Sequence, residues 1–356
     1  MDKPININIL SIKKISPALP HNAFTDLIRI KNTLWLCFRT AVDHHSSTSK
    51  VVVISLNTKG EELSRCYISL PHSDLRDPRL LQMNNHLYLT AYSREKKNTT
   101  LQSRNTFFEY QGGITWEHRG YFGAEFQWCW RFTLHNNRLY SIAYERSKEH
   151  LLLYKGKSLS ALRAKPKAIL SKQKHGFGYP NESDLFFTTK QAHAIVRRDA
   201  DSFTTLLGIS TAPFTDWVWH ELKVYMASPV IIGKYKDYLL IAARYEHSSD
   251  NHENAISSPF WKMEAEASRV IVSEIPLSDI SYKDGDLKTG IFSVSLKSLE
   301  QRLLCALPST GDNGYPGASL EGNTLWLSYY SSDGASDGAS ANDDTDVYLC
   351  KLSLAF

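Results

Sequence analysis

The chain has 356 residues, 12% of them aromatic and 22% charged, which gives it the apolar bulk for a large core and excludes a disordered polymer. Its 41 basic and 37 acidic residues leave a net charge of +4 with no basic block, so no nucleic-acid partner is expected. No run of about 18 apolar residues occurs, so no helical membrane span is expected either.

The opening Met1-Asp2-Lys3-Pro4 has no apolar h-region of a signal peptide, and Ile5-Asn6-Ile7-Asn8-Ile9 alternates with period two, which predicts a strand over 5–12. A phrase of the form Asn-x-Leu-(Trp/Tyr)-x-x-x-(Phe/Tyr) then recurs. It runs from Asn32 to Arg39, from Asn85 to Tyr92, from Asn137 to Tyr144 and from Asn323 to Tyr330, with weaker copies from Ala192 to Arg198 and from Asp237 to Arg244. Each strong copy follows a turn pair, Lys31-Asn32, Asn84-Asn85, Asn136-Asn137 or Gly322-Asn323, of which Asn and Gly accept the positive φ of tight hairpins. Short runs such as Val51-Val52-Val53-Ile54 and Leu151-Leu152-Leu153-Tyr154 suit the strand that comes next.

A β-rich unit repeating at roughly 45–50 residues is the signature of a propeller. The predicted fold is therefore all-β: a single domain over 1–356, a six-bladed β-propeller with blades at 21–70, 71–121, 122–172, 173–224, 225–308 and 309–356. The last blade ends at Val347-Tyr348-Leu349-Cys350-Lys351-Leu352, one strand short, and strand 5–12 is expected to complete it, closing the fold without bare sheet edges. Blade five is overlong. Its insertion, 246–286, carries Pro259-Phe260-Trp261 and reads as a loop with a task, while the Ser/Gly/Asp-rich stretch 331–346 reads as a flexible loop.

Five cysteines, Cys37, Cys66, Cys129, Cys305 and Cys350, are odd in number and widely spaced. This argues against a disulfide framework or a zinc motif and favours a reducing, cytoplasmic setting; Cys37, Cys129 and Cys350, inside apolar strand patterns, read as buried thiols, and no metal or cofactor is expected. His44, His45 and His72 belong to no spacing motif and read as surface residues.

Seven residues past each turn position stand Arg39, Tyr92, Tyr144, Arg198, Arg244 and Tyr330, large side chains with hydrogen-bonding tips at the ends of apolar strands. The first strands begin with Asp26, with Asp74 and Asp77, with Glu125, with Glu182 and Asp184, and with Asp312 and Tyr315. In an up-and-down blade these two ends share a rim, so arginines and carboxylates are predicted to meet at one mouth. Buried charges are costly unless paired or used. Ties between neighbouring blades are the bland alternative for any single arginine, and a ligand site is the reading for the set. Trp128, Trp130 and Trp261 are candidate sugar platforms, the first two equally core residues.

Several stretches resemble the sialidase-like glycoside hydrolase superfamily of six-bladed propellers. Asn181-Glu182-Ser183-Asp184-Leu185 followed by Ile195-Val196-Arg197-Arg198 looks like the family stretch that supplies the glutamate paired with a nucleophilic tyrosine and one arginine of the carboxylate-binding triad. Ala227-Ser228-Pro229-Val230 leading to Arg244 lies where the family's fifth blade falls, and Tyr315 in Gly314-Tyr315-Pro316-Gly317 takes the place of the catalytic tyrosine. Arg39-Thr40-Ala41-Val42-Asp43 resembles the first-blade segment with an arginine and the acid/base aspartate, and Glu109 to Trp116 a degenerate Asp-box hairpin. The family's Arg-Ile-Pro is absent; His21 to Asp26 stands there instead.

The rim set and the resemblance together give catalytic Asp26, Asp43, Asp77, Glu182 and Tyr315, with Arg39, Arg198, Arg244, Glu125 and Asp184 around a terminal, acidic sugar. Carbohydrate is the expected ligand. Asp26 with Arg76-Asp77-Pro78 also resembles the three-carboxylate pattern of five-bladed furanosidase-type propellers, and a polysaccharide lyase or a catalytically inactive glycan-binding propeller are the remaining alternatives.

Overall fold

A computed structural model describes residues 5–15, 19–97, 100–176, 178–199, 204–246, 287–332 and 344–355. The expected insertion beyond Glu246, Trp261 with it, and positions 333–343 of the expected flexible loop lie outside these residues.

The described residues are mostly strand. In order come β1 (Asn6–Ile15); β2 (His21–Ile30), β3 (Thr33–Ala41), β4 (Lys50–Leu56) and β5 (Glu62–Ile68); then β6 (Ser73–Met83), β7 (His86–Lys97), β8 (Thr100–Gly112) and β9 (Thr115–Phe122). They are followed by β10 (Trp128–His135), β11 (Arg138–Glu145), β12 (His150–Gly156), β13 (Arg163–Ser171), β14 (Tyr179–Phe187), β15 (Gln191–Asp199), β16 (Thr204–Thr211) and β17 (Val218–Leu222). The last are β18 (Ala227–Tyr235), β19 (Tyr238–Glu246), β20 (Leu287–Ser295), β21 (Gln301–Ala306), β22 (Asn313–Glu321), β23 (Thr324–Ser332) and β24 (Thr345–Ala355).

Strands β6–β9, β10–β13, β14–β17 and β18–β21 form four separate four-stranded sheets in sequence order. The remaining strands form two more blades within one eight-stranded sheet: β2–β5, and β22–β24 with β1 added beside β24. These two blades are joined where β2 and β24 run parallel for a single pair, His21 opposite Thr345. The fold is thus all-β, of the six-bladed β-propeller class, and the N-terminal strand completes the last blade as the alternation predicts. β1 pairs antiparallel with β24 from Asn6 opposite Ala355 to Ile15 opposite Val347. The Glu109–Trp116 stretch is the hairpin between β8 and β9, with Gly112 and Gly113 at positive φ in its turn.

Two compact units are present: Met1–Trp128 with Gly156–Leu162 and Asp312–Phe356, and Cys129–Lys155 with Arg163–Gly311. In the first, the repeated phrase explains its own core. Leu34, Leu36 and Phe38 of β3 join a cluster with Val52, Ile54, Trp326 and Leu349, while the alternate Cys37 joins Val51, Val53, Leu75 and Leu89 on the other face. Side chains alternate along a strand, so a strand covered on both faces must read apolar throughout. Gly317 belongs to this packing, because a Cβ there would sit 2.3 Å from the Leu27 nitrogen and 2.6 Å from the Asp26 Cα. In the second unit Leu239, Ile241 and Ala243 of β19 pack with Ile195, Leu207 and Phe292 in the same manner. All five cysteines are free thiols, with Cys37, Cys129 and Cys350 buried.

Candidate functional site

The first strand of five of the six blades carries the same irregularity. Its pairing with the second strand is interrupted after Ala23 opposite Arg39, Arg76 opposite Tyr92, Pro180 opposite Arg198, Ala227 opposite Arg244 and Gly314 opposite Tyr330. The positions equated by the repeated phrase therefore occupy one register position, directly before a bulge. At four of these bulges the next residue is left-handed: Phe24 (φ 60), Asp77 (φ 47), Ser228 (φ 47) and Tyr315 (φ 48). Such conformations are costly for residues other than glycine and concentrate where a strand must re-aim a side chain at a site.

In the first unit the bulge seats Phe24 among polar and aromatic groups. Its ring lies 4.6 Å from Tyr315, 5.6 Å from His44 and 6.0 Å from Tyr330, centroid to centroid. The guanidinium carbons of Arg39 and Arg76 are 5.8 and 5.3 Å from the same ring. Arg39, completely buried, donates from Nε to Asp74 Oδ1 at 2.7 Å and from Nη1 to the Asp43 carbonyl at 3.2 Å. The second Asp74 oxygen lies 2.9 Å from Arg76 Nε, and Arg76 also donates to the His44 carbonyl. One carboxylate thus serves two guanidiniums beside an aromatic face, a surrounding that strengthens charge-assisted bonds.

Arg39 Nη1 also lies 3.3 Å from His21 Nδ1. A guanidinium can only donate, so His21 carries its proton on Nε2 when neutral. Burial pushes the His21 pKa below its ordinary value, opposed by Asp312. Asp312 accepts from the Tyr330 hydroxyl at 2.8 Å, and its other oxygen faces His44 Nδ1 at 3.4 Å and His21 Nε2 at 3.8 Å.

In the second unit Glu182 is the anchored carboxylate. It is 5% exposed, accepts from the Ser228 amide at 2.5 Å and pairs with Arg197 Nη1 at 2.8 Å. Arg197 Nε reaches Asp199 at 2.7 Å, and Asp199 also accepts from Tyr225 Oη at 2.6 Å and from Asn181 at 2.7 Å. The guanidinium that meets Glu182 is therefore that of Arg197. The neighbouring Arg198 donates to Thr204 Oγ1 at 2.8 Å and pairs with Glu221.

Other expected residues hold structural bonds. Asp26 accepts from the Leu80 amide at 2.9 Å and Asp184 from the Ile231 amide at 2.7 Å, each tying its sheet to the next first strand within its own unit. Asp43 forms a local turn, accepting from the His45 amide at 2.7 Å and Ser46 Oγ at 3.1 Å. Burial opposes ionisation there, but the bonds from Ser46 and His45 prevail and hold its pKa below the ordinary carboxylate value. Glu125 makes a surface pair with Arg104 at 2.9 Å. Arg244 is half-buried opposite Ala227, and Asp77 is buried at its bulge. Trp128 stacks on Tyr92 at 3.9 Å, whereas Trp130 is core at 1% exposure.

His21, Phe24, His44, Arg76, Arg197 and Tyr225 join these clusters without having been expected there. His44, expected at the surface, is half-buried against Phe24. The signal for Arg197 was the adjacent pair itself, since neighbouring strand residues point to opposite faces.

No family model matches the chain, and no curated protein matches it in sequence. A protein of unknown function from Dyadobacter fermentans superposes at a TM-score of 0.68 and 14% identity, over 98% of this chain and 100% of its own. Trypanosoma rangeli sialidase in complex with sialic acid superposes at 0.53 and 10% identity, over 99% of this chain and 59% of its own. A mutant of that sialidase displaying trans-sialidase activity gives 0.56 and 11% identity, over 98% and 58%. The chain spans a little under 60% of these sialidase chains, and what it shares with them at such identities is the fold.

Proposed function

We propose that the chain is a glycoside hydrolase that cleaves a terminal, acidic sugar. The observation that carries this reading is the Asp74-bridged pair of arginines, Arg39 and Arg76, set with Tyr315 around Phe24. Guanidiniums recognise carboxylates through planar paired donors, and an aromatic face beside them suits the apolar side of a sugar ring. Tyr315, turned by its left-handed bulge, is the proposed nucleophile. Asp77 at the equivalent bulge and Asp43 beside Arg39 are the proposed carboxylates of this unit; in the second unit Glu182, with Arg197, Arg198 and Arg244, is proposed separately as a contact for anionic or hydroxyl groups. Glycoside cleavage needs a proton donor for the leaving oxygen and an ionised group opposite it. The shared fold with a sialidase that binds sialic acid supports a sugar of that charge class.

A second reading, glycan binding without turnover, is favoured by one observation: the Asp26 and Asp184 carboxylates are engaged by backbone amides. Incubation with sialylated, uronate-bearing and neutral glycans, with products read by mass spectrometry and ultraviolet absorption, separates the cases. Release of a terminal acidic sugar is the expected result, and Tyr315→Phe and Asp77→Asn should each lower kcat by about 10²-fold or more while binding persists. Full turnover in both variants removes these residues from the mechanism. Saturable binding without product establishes the second reading, and an unsaturated, absorbing product establishes a lyase.

A further inference from the structure

Three side chains with no role in the glycan proposal converge in the first unit. One ring nitrogen each of His21 and His44 and one oxygen of Asp312 lie within 4.8 Å of one another. The two separations to the Asp312 oxygen, 3.4 Å from His44 Nδ1 and 3.8 Å from His21 Nε2, are too long for charge-assisted hydrogen bonds, which run about 2.7–2.9 Å. They are close to the distance between neighbouring ligands on a tetrahedral ion. Bonds of about 2.0–2.1 Å place such ligands roughly 3.3–3.4 Å apart.

A second observation points to the same place. His21 is 1% exposed, and its Nε2 has no hydrogen-bond partner among the described residues. A polar nitrogen buried in that state is costly, and here it faces the Asp312 carboxylate. The two imidazoles stand at 88° with centroids 5.1 Å apart, an edge arrangement. Tyr330 donates to the far Asp312 oxygen at 2.8 Å, fixing the carboxylate's orientation as bonds behind metal ligands do.

We propose that His21, His44 and Asp312 bind a zinc-type divalent cation, leaving a fourth position for solvent or a ligand oxygen. Two imidazoles and a carboxylate suit first-row ions of this kind rather than calcium or magnesium, which take oxygen ligands. His44 and Asp312, with side chains 32% and 36% exposed, provide the entry path. Arg39 sets the limit on affinity. Its Nη1 donates to His21 Nδ1, so binding requires the His21 proton to move from Nε2 to Nδ1 while Arg39 keeps the Asp43 carbonyl at 3.2 Å. The site is therefore weaker than a closed four-ligand structural centre. It stands whether or not the chain cleaves glycans.

The full chain, stripped with EDTA, is titrated with zinc chloride by calorimetry and with cobalt chloride by visible absorption. One ion per chain, a Co²⁺ band of tetrahedral intensity and a zinc-dependent rise in Tm are the expected results. His44→Ala and Asp312→Asn should each weaken binding by about tenfold or more, with metal-free Tm near that of the parent. His86→Ala, at a 56% exposed side chain, should bind as the parent does and controls for adventitious surface sites. Absence of binding by either ion, or binding undiminished by His44→Ala, overturns the proposal. Should Asp312→Asn fail to fold, His44→Ala alone decides.

Discussion

Asp74 is the residue on which the polar cluster of the first unit turns. It is 4% exposed and faces two guanidiniums, one of them entirely buried. Deleting one member of a buried ion pair leaves the partner uncompensated and costs about 3–5 kcal/mol, far more than the net worth of the pair. Asp74→Ala should therefore destabilise the chain by about 3–5 kcal/mol in urea unfolding, whereas Glu125→Ala, at an exposed pair, should change it by no more than about 1 kcal/mol. Equal effects would mean that water reaches the Arg39 cluster. The position of Arg39 was legible in the sequence because the repeated phrase marks the end of each second strand. What a phrase cannot encode is which side chain of an adjacent pair faces the carboxylate, and Arg197, not Arg198, is the one that meets Glu182. Nor does it mark the left-handed bulges at Phe24 and Tyr315, because no Gly, Asn or Asp occupies either position. His44 escaped for a related reason: a loop residue after β3 comes to Phe24 by chain path, without periodicity to announce it.

At the scale of elements the sequence was more informative, since strands covered on both faces leave unbroken apolar runs and the paired turn residues punctuate them. The N-terminal strand is the instructive element. Most side chains of β1 are exposed, and Ile15 alone is buried along its length. Its contribution to stability must come mainly through pairing with β24, register by register from Asn6 to Ile15. That is why alternation plus a missing strand sufficed to place it. A variant lacking residues 1–15 should leave the β24 edge bare, a template for pairing with other chains. It is expected to show a lower Tm and concentration-dependent association in size-exclusion chromatography, and a peptide of residues 5–15 added in trans should reverse both. An unchanged Tm with a monomeric elution profile would show that β24 needs no partner on that side.

The molecule as a whole titrates through groups that no local motif reveals, and His193 is the clearest of them. It lies on β15 between Phe186 of β14 and Ile209 of β16 in register, is 1% exposed, and neither ring nitrogen has a hydrogen-bond partner among the described residues. Burial first, and the charge of Lys234 second, push its pKa from 6.5 down to about 4. In the unfolded chain the ring protonates near its ordinary value, so between about pH 6.5 and pH 4 the unfolded state binds more protons than the folded one. Stability must then rise with pH across that window: the contribution is complete above about pH 6.5 and is lost as the pH falls through about 4. At about 1.4 kcal/mol for each pKa unit, its upper limit is on the order of 3 kcal/mol. Carboxylates held by bonds, Asp43 among them, add an acid loss of the same sign but at lower pH. A His193→Leu substitution separates the two, because it removes only the imidazole. The variant's Tm should fall less steeply than the parent's between pH 6.5 and pH 4, with the two curves running parallel below that range. Identical slopes throughout would place water or a proton acceptor at the His193 ring and return its titration to the ordinary range.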